Sequence, residues 1–289
     1  MIEINRISEL KDYLKSEKEK GKIIGFVPTM GFLHEGHLKL VEKAKEGTDL
    51  TVMSIFVNPL QFGEGEDFED YPRDHDRDMR LAETHGVDVL FYPHISEMYP
   101  GPMSATLTVH EGTEVLCGAS RPGHFDGVAT VVMKLFQAVN PDYAYFGMKD
   151  AQQVAVIKRM VSDYHMDVTV VPVDIVREED GLAKSSRNVN LTESEREEAP
   201  QIYKTVKEAV TKALSGEFQF SYELESWTRS KLEKRISGQI DYVSVYRFPE
   251  LTPLSRLEGD LILAVAVYYS NARLIDNQTW RQGEMEGEN

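Results

Sequence analysis

Two histidines that could act on a phosphate, His34 and His37, lie three residues apart in segment 28–37, which reads PTMGFLHEGH. The preceding residues 23–27 are apolar and rich in β-branched side chains, which is typical of a buried parallel strand. Apolar residues then recur at helical spacing over 38–44. The two histidines are therefore predicted to lie where a strand gives way to a helix.

A turn of this kind is suited to binding phosphate. The first N–H groups of a helix are unpaired and carry a partial positive charge, which attracts anions. Gly31 and Gly36 let the backbone approach a ligand closely, and the imidazoles add donors. The segment predicts a nucleotide-phosphate site, although a structural turn with surface histidines would have the same pattern. The patterns G-x-G-x-x-G and G-x-x-x-x-G-K-[ST] do not occur, which disfavours the dinucleotide and P-loop folds.

Composition narrows the class of protein. At 289 residues, with 41% hydrophobic and 28% charged residues, the chain is long enough for two folded domains. The net charge of −16 argues against a nucleic-acid partner. No apolar run reaches the roughly 18 residues of a membrane span, and the N-terminus has no apolar signal core. A single cysteine, Cys117, cannot form an internal disulfide, so a cytoplasmic location is expected.

Alternating strands and helices must position the histidine turn. The patterns predict strands at 23–27, 50–57, 87–92, 142–146 and 167–173, with helices at 74–85, 127–139 and 150–164. This alternation predicts an α/β domain over residues 1–180, a Rossmann-like, doubly wound parallel sheet with helices on both faces. Ligands of such sheets bind beyond the carboxyl ends of the strands, where strand order reverses.

The C-terminal part, residues 181–289, has a different pattern. Thr192 followed by acidic residues predicts an N-cap and a charged helix, and a second helix is predicted near 222–235. Apolar strands are predicted at 241–246, 261–268 and 272–275. These elements predict a smaller α+β domain that acts as a lid.

Three further segments carry groups suited to a small acid or a phosphate. Asn58 and Gln61 follow a predicted strand and offer amide groups. Segment 147–153, GMKDAQQ, is a second strand-to-helix turn and carries a lysine. Segment 181–188, GLAKSSRN, supplies two cations and two hydroxyls, which suits a triphosphate. Each could be an ordinary turn, capped helix or linker, but together with 28–37 they favour a nucleotide-using enzyme.

On these motifs the sequence resembles the pantoate–β-alanine ligase (pantothenate synthetase) family. The matching segments are PTMGFLHEGH, FVNPLQF, YPRD at 71–74, HFDG at 124–127, GMKDAQQ, and REEDGLAKSSRN at 177–188. The resemblance covers nearly the whole chain and weakens only in the C-terminal helices, whereas the HxGH pattern alone would indicate only the wider nucleotidylyltransferase superfamily. Two positions differ from the usual family pattern. Met148 stands where many members carry an acidic residue, and Lys184 stands where many carry a methionine. These two differences concern local contacts with ATP.

The resemblance implies ATP-dependent condensation of pantoate with β-alanine through pantoyl adenylate, with release of pyrophosphate and then AMP. It implies catalytic roles for His34, His37, Lys149 and Arg187. Pantoate and β-alanine are expected to bind at Gln61, Gln153 and Asn58. The residues expected to contact ATP are Met30, Gly31, Phe32, Leu33, His34, Glu35, Gly36, His37, Gly147, Met148, Lys149, Asp150, Val176, Lys184, Ser185, Ser186 and Arg187.

Mg²⁺ is expected with ATP because it neutralises the triphosphate. Asp78 and neighbouring Asp76 are the candidate protein ligands, of which the resemblance favours Asp78. The resemblance also implies a homodimer, while the hydropathy and the acidic charge predict no membrane or nucleic-acid partner. Three alternatives stay open: another HxGH nucleotidylyltransferase with a different small acceptor, a tRNA-aminoacylating enzyme, and a non-catalytic nucleotide sensor. The acidic charge disfavours the second, and the intact histidines and cations disfavour the third.

Overall fold

The structure is a computed structural model that describes residues 1–63 and 68–283. Its strands are β1 (Ile2–Ile4), β2 (Ile24–Thr29), β3 (Leu50–Ile55), β4 (Val89–Phe91), β5 (Tyr143–Gly147), β6 (Thr169–Val173), β7 (Gln239–Arg247), β8 (Gly259–Tyr268) and β9 (Arg273–Gln282). Its helices are α1 (Ile7–Glu19), α2 (Glu35–Gly47), α3 (His75–Thr84), α4 (Ile95–Met98), α5 (Leu116–Ser120), α6 (His124–Val139), α7 (Ala151–Asp163), α8 (Glu193–Glu198), α9 (Pro200–Leu214) and α10 (Ser221–Leu232). Short 3-10 helices cover Pro59–Gln61, Met148–Asp150 and Ser186–Asn190. None of the helices described has the length and apolar character needed to cross a membrane.

The first compact unit comprises Met1–Thr113, Arg121–Met148 and Val156–Asp174, and its core is a parallel sheet. The strand order is β1-β4-β3-β2-β5-β6, and every neighbouring pair is parallel. The chain winds outward from β2 through β3 to β4, then returns to place β5 on the other side of β2. Strand order therefore reverses between β2 and β5, as predicted for a Rossmann-like, doubly wound sheet.

Apolar patterning accounts for most of this sheet and for its first helix. All six residues of β3 are buried, as expected for a strand covered on both faces. Leu40, Val41 and Ala44 of α2 pack into one core with Val27 and Met53 of β2 and β3. Strand β1 and helix α1 are present in the structure but are not predicted from the sequence. Strand β1 has only three residues, two of them exposed, so no apolar run marks it, and pairing with β4 defines it.

The second compact unit comprises Glu114–Ser120, Lys149–Ala155 and Ile175–Asn289. Its sheet has the antiparallel order β7-β8-β9, and Val206 and Val210 of α9 share a core with Leu263 and Val265 of β8. This confirms the predicted smaller α+β domain. The single helix predicted after Thr192 is instead two, α8 and α9, and Pro200 is the first residue of the second. The predicted division into 1–180 and 181–289 stays a prediction.

A capping box joins α8 to the turn between β8 and β9. The Thr192 hydroxyl accepts from the Glu195 N–H at 3.4 Å, and Glu195 Oε2 accepts from the Thr192 N–H at 2.8 Å. The other oxygen, Oε1, accepts from the Ser270 N–H at 2.8 Å and from the Ser270 hydroxyl at 2.7 Å. The N–H groups of Ser270 and Thr192 lower the pKa of Glu195 to about 2.

Replacing Glu195 with Gln is expected to destabilise the protein at neutral pH and to change how its stability depends on acid. Because the folded pKa of about 2 lies below the ordinary value of 4.5, the carboxylate stabilises the fold above pH 4.5. That contribution is lost as the pH falls toward 2. The difference in unfolding free energy between wild type and Glu195→Gln, measured by urea denaturation at several pH values, should therefore shrink with acid. Glu193→Gln, at an exposed position in the same helical turn, should show no such trend. A difference that is constant from neutral pH to pH 2 would contradict this role of Glu195.

Candidate active site

The turn between β2 and α2 is left-handed at two successive residues. Gly31 has a φ of +88° and Phe32 a φ of +48°. A Cβ on Gly31 would lie 2.9 Å from the Ile55 side chain and 3.0 Å from a carboxylate oxygen of Asp78. Position 31 therefore favours glycine for two reasons: its φ is left-handed, and neighbouring side chains leave no room for a Cβ. Phe32 has no such freedom, so its backbone must be held by its surroundings.

Asp78 of α3 holds this turn. Its Oδ2 accepts from the Phe32 N–H at 2.6 Å, and its Oδ1 accepts from the Leu33 N–H at 2.7 Å. The side chain is only 2% exposed. Burial raises the pKa of the Asp78 carboxyl, and the two N–H donors oppose that rise. Arg77 adds to the support, because its guanidinium carbon lies 5.0 Å from the centroid of the Phe32 ring.

This geometry does not fit the predicted role of Asp78 as a magnesium ligand. Both oxygens already accept short backbone hydrogen bonds in a buried position, so the carboxylate braces the turn. No group of three or more His, Cys, Asp or Glu side chains within 1–63 and 68–283 could hold a metal ion.

The two histidines at the start of α2 form a reciprocal cap. Nδ1 of His34 accepts from the Gly36 N–H at 3.1 Å, and Nδ1 of His37 accepts from the His34 N–H at 3.3 Å. The ring centroids are 4.0 Å apart. Because each neutral ring uses Nδ1 as an acceptor, its proton is on Nε2. The cap thus sets both imidazoles as Nε2–H donors at a helix N-terminus, which suits an anion.

Gln61 lies beside this turn, and Asn58 orients it. The Gln61 Nε2 is 2.8 Å from the sulfur of Met30, and its Oε1 accepts from Asn58 Nδ2 at 3.3 Å. Asn58 also bonds to the surrounding chain: its Nδ2 donates to the Gly127 carbonyl at 3.1 Å, and its Oδ1 accepts from the Tyr99 hydroxyl at 2.7 Å and from the Leu60 N–H at 3.3 Å. Asn58 is 1% exposed, so it occupies a supporting position, in contrast to the predicted contact with substrate.

Tyr99 also supports the Asn58–Gln61 turn, although no sequence motif indicated it. Burial raises the pKa of Tyr99 to about 12, so its hydroxyl stays protonated and donates to Asn58. No local pattern marks Tyr99, because it lies 41 positions from Asn58 along the chain. Its position became apparent only from the folded structure.

Helix α6 approaches the Asn58–Gln61 turn closely. A Cβ on Gly127 would overlap the Leu60 carbonyl oxygen and come within 2.7 Å of the Gln61 nitrogen. Nδ1 of His124 donates to the Gln61 carbonyl at 2.8 Å, and the Arg121 guanidinium also donates to it at 3.3 Å. The HFDG segment therefore fixes the backbone of Gln61, and Gly127 makes that contact possible.

A cavity of about 210 Å³ adjoins the left-handed turn in the first unit. Met30, Gly31, Arg73, Asp78, Tyr92 and His94 are among its lining residues. Its volume is below the range of about 300–1,000 Å³ typical of drug-sized ligands, so it suits only a small molecule. Its lining combines carboxylate, guanidinium, imidazole and phenol groups. Of these, the sequence pointed to Asp78 and to the YPRD segment that contains Arg73, whereas Tyr92 and His94 lie outside its motifs.

Two adjacent glutamines of the GMKDAQQ segment, Gln152 and Gln153, lie in the second unit and differ in their surroundings. Gln152 is buried, with Oε1 accepting from the Cys117 N–H at 3.0 Å and Nε2 donating to the Val115 carbonyl at 2.7 Å. Gln153, the predicted substrate ligand, is half-buried. The Gln152 amide thus bonds to two backbone groups, whereas Gln153 is partly exposed to solvent. The Lys149 ammonium lies 3.6 Å from Asp150.

Segment 181–188, which is predicted to suit a triphosphate, has regular local structure together with the residues before it. Arg177 and Ala183 form an antiparallel bridge, and the Lys184 N–H donates to the Val176 carbonyl at 2.9 Å. The Ser185 hydroxyl accepts from the Arg187 N–H at 3.3 Å and caps the 3-10 helix Ser186–Asn190. Ser186 is buried, and Lys184 pairs with Glu178 at 2.7 Å. The structure thus gathers Val176 and 184–187 into one hairpin-like segment.

Comparison with known sequences identifies similar proteins. The Pantoate-beta-alanine ligase family matches residues 3–279. A pantothenate synthetase of Halalkalibacterium halodurans is 57% identical, and the alignment covers 98% of this chain and all of that protein. A pantothenate synthetase of Bacillus subtilis is 54% identical over 99% of each chain.

Solved structures agree with the sequence comparison. The crystal structure of pantothenate synthetase from Thermus thermophilus has a TM-score of 0.89 and 44% identity, covering 96% of this chain and 99% of that one. The Francisella tularensis pantoate-beta-alanine ligase, complexed with beta-gamma ATP and beta-alanine, has a TM-score of 0.77 and 35% identity. It covers 96% of this chain and 97% of its own.

Replacing Asp78 with Asn is expected to loosen the left-handed turn. An amide has one acceptor oxygen, so at least one of the Phe32 and Leu33 N–H groups loses its partner, at about 1–3 kcal/mol of unfolding free energy. Amide hydrogen exchange at these two residues should accelerate, and urea denaturation should report the lower stability. Asp76→Asn, at an exposed side chain on the same helix, is the control. Unchanged exchange in Asp78→Asn would contradict the bracing role.

Replacing Gly127 with Ala is expected to displace the Asn58–Gln61 turn, since the new methyl group would overlap the backbone of Leu60. Overpacking of this kind costs about 1–3 kcal/mol of unfolding free energy. NMR chemical shifts of the Asn58 and Gln61 side-chain amides should move as well. Gly101→Ala has open space around it and should leave both readouts unchanged. Wild-type stability together with wild-type shifts in Gly127→Ala would contradict the close packing.

Proposed function

The chain belongs to the pantoate–β-alanine ligase family, and we infer from this membership that it is the ATP-dependent enzyme that joins pantoate to β-alanine to give pantothenate. The family match over residues 3–279 carries this conclusion. The related Francisella tularensis ligase, whose crystal structure is a complex with beta-gamma ATP and beta-alanine, supports ATP and β-alanine as substrates of this chain.

The proposed reaction has two steps. A carboxylate oxygen of pantoate attacks the α-phosphorus of ATP, forming an acyl–phosphate bond as the bond to pyrophosphate breaks. The β-alanine nitrogen then attacks the acyl carbon of pantoyl adenylate, loses a proton, and AMP leaves. Negative charge builds up on the α-phosphate and on the departing pyrophosphate in the first step. Groups that donate to those oxygens therefore lower the barrier.

We propose that the N-terminus of α2 and the Nε2–H groups of His34 and His37 supply such donors. Their support is the reciprocal cap, which sets each ring with Nδ1 as an acceptor. Because Asp78 fixes the preceding backbone, these donors are oriented before the substrate arrives, which avoids a reorganisation cost during the reaction.

The remaining contacts to ATP are proposed from the family motifs. Lys149 and Arg187 are proposed to act on the phosphates as catalytic cations, with Lys184, Ser185 and Ser186 in the same phosphate-binding segment. Binding roles are also proposed for Met30, Gly31, Phe32, Leu33, Glu35, Gly36, Gly147, Met148, Asp150 and Val176. Lys184, which replaces the usual methionine, already pairs with Glu178, so ATP would compete with that carboxylate for its charge.

For the organic substrates we propose Gln61 and Gln153 as hydrogen-bonding ligands of pantoate, with Gln61 also facing β-alanine. The exposure of Gln153, compared with the committed Gln152, supports this choice. We propose that Asn58 acts by orienting the Gln61 amide.

Mg²⁺ is proposed to accompany ATP and to be held mainly by phosphate oxygens, where it would neutralise the triphosphate charge. A homodimer and a cytoplasmic location are proposed from the family resemblance and from the single cysteine, Cys117. Light scattering of the purified chain would test the dimer directly.

The proposed function is tested by following pyrophosphate release from ATP with pantoate, in the presence and absence of β-alanine. We expect enzyme-bound pantoyl adenylate without β-alanine, and AMP plus pantothenate with it. Pyrophosphate release with a different acid, but not with pantoate, would contradict the substrate assignment and indicate another nucleotidylyltransferase. ATP binding without turnover of any acid would indicate a nucleotide sensor.

His37→Ala is expected to slow adenylation by about two to three orders of magnitude, the loss typical of one preorganised donor. Single-turnover pyrophosphate release would measure it. His110→Ala, at an exposed position, is the matched control and should keep the wild-type rate. A wild-type rate in His37→Ala would remove this histidine from the proposed mechanism.

A further inference from the structure

A buried ion pair anchors the hairpin-like segment that contains Val176 and Lys184. The Arg177 guanidinium donates to both carboxylate oxygens of Asp276 in β9, with N–O distances of 2.7 and 2.9 Å. The Asp276 side chain is 4% exposed and that of Arg177 17% exposed. A bidentate pair of this kind fixes orientation as well as distance, because the guanidinium fork is planar and rigid.

Two further contacts of Arg177 fix the tip of the same segment. The guanidinium donates to the Gly181 carbonyl at 3.1 Å, and its central carbon lies 3.6 Å from the centroid of the Tyr203 ring. Gly181 has a φ of +100°, and a Cβ there would come within 2.7 Å of Tyr203. Gly181, at the tip of the segment, therefore packs against the Tyr203 ring and accepts a hydrogen bond from Arg177.

The same end of β9 also holds the backbone of Lys149. The Asn277 N–H donates to Asp276 Oδ1 at 2.7 Å, and the Asn277 Nδ2 donates to the Lys149 carbonyl at 3.0 Å. Asn277 is 6% exposed, so this link is sheltered from water. Asp276 and Asn277 of β9 thus contact two separate segments. One is the hairpin-like segment that carries Lys184, and the other contains Lys149.

We propose that Asp276 is a positioning residue that, through Arg177 and Asn277, sets the places of the cations of 184–187 and of Lys149 for the phosphates of ATP. This inference rests on the proposed function. Asp276 itself touches neither segment's cation. Its carboxylate accepts the Arg177 fork and the Asn277 N–H, and these partners bond to the Gly181 and Lys149 carbonyls. Removing the charge should displace both segments together.

Asp276→Asn is expected to lower kcat/KM for ATP by about 100-fold, the loss that a misplacement of about 1 Å can cause. The KM for ATP should rise, whereas the KM for β-alanine should stay at its wild-type value. A purely structural role would lower the fraction of folded enzyme, and hence the maximal rate, without changing any KM. Kinetics with each substrate varied in turn, together with thermal melting, would separate the two.

Two further variants keep the inference testable if Asp276→Asn folds poorly. The double change Arg177→Met and Asp276→Leu removes both buried charges, which proteins often tolerate without loss of stability, yet it still lacks the contact to Gly181. We expect it to fold and to keep a raised KM for ATP. Asn277→Ala removes the bond to the Lys149 carbonyl while leaving Arg177 and Asp276 in place. It should cost about tenfold in kcat/KM for ATP, the effect of one lost hydrogen bond.

Glu208→Gln is the matched control, because it breaks a 2.8 Å ion pair with Arg235 in the same unit and contacts neither segment. It should leave the KM for ATP unchanged. A wild-type KM for ATP in both Asp276→Asn and the folded double variant would overturn the inference, even while the wild-type enzyme makes pantothenate. Failure of the wild type to make pantothenate would instead overturn the proposed function.

Discussion

The two hydrogen bonds from the Phe32 and Leu33 N–H groups to Asp78 are the interaction on which the histidine turn depends. A non-glycine residue at positive φ costs about 1–3 kcal/mol, so Phe32 would not adopt this conformation unsupported. Short bonds to a buried carboxylate offset that cost. Helix α2 begins directly after the turn. Fixing these two N–H groups therefore also fixes the first turn of α2 and both imidazoles.

The parallel sheet explains why this turn has chemically useful neighbours. Thr29, the last residue of β2, pairs with Ile55, the last residue of β3, so the segments that follow both strands leave the sheet at one edge. The turn that carries Gln61 therefore reaches Met30 although 31 positions separate them. Helix α6 can close over that turn because Gly127 has no side chain.

Buried carboxylates perform a similar task in the second unit. Glu195 fixes a helix start to a strand turn, and Asp276 fixes a hairpin and the backbone of Lys149. Both accept backbone or guanidinium donors while largely withdrawn from water. Exposed pairs such as Lys39 with Glu42 are screened by solvent and contribute little to stability. In this acidic protein, the carboxylates that position neighbouring segments are thus the few that are buried.

The sequence by itself determined the alternating elements, the parallel sheet, the family and the motifs, because apolar periodicity and glycine turns are local properties. Strand β2, predicted at 23–27, occupies Ile24–Thr29, and the Thr192 cap lies where its pattern indicates. The tertiary structure alone decided which polar groups meet. Asp78 proved to be a brace and Asn58 a support, while Tyr99 and Asp276 became visible only through partners more than 40 positions away. Hydrogen bonding between distant residues depends on how the chain folds back, and no local pattern records it.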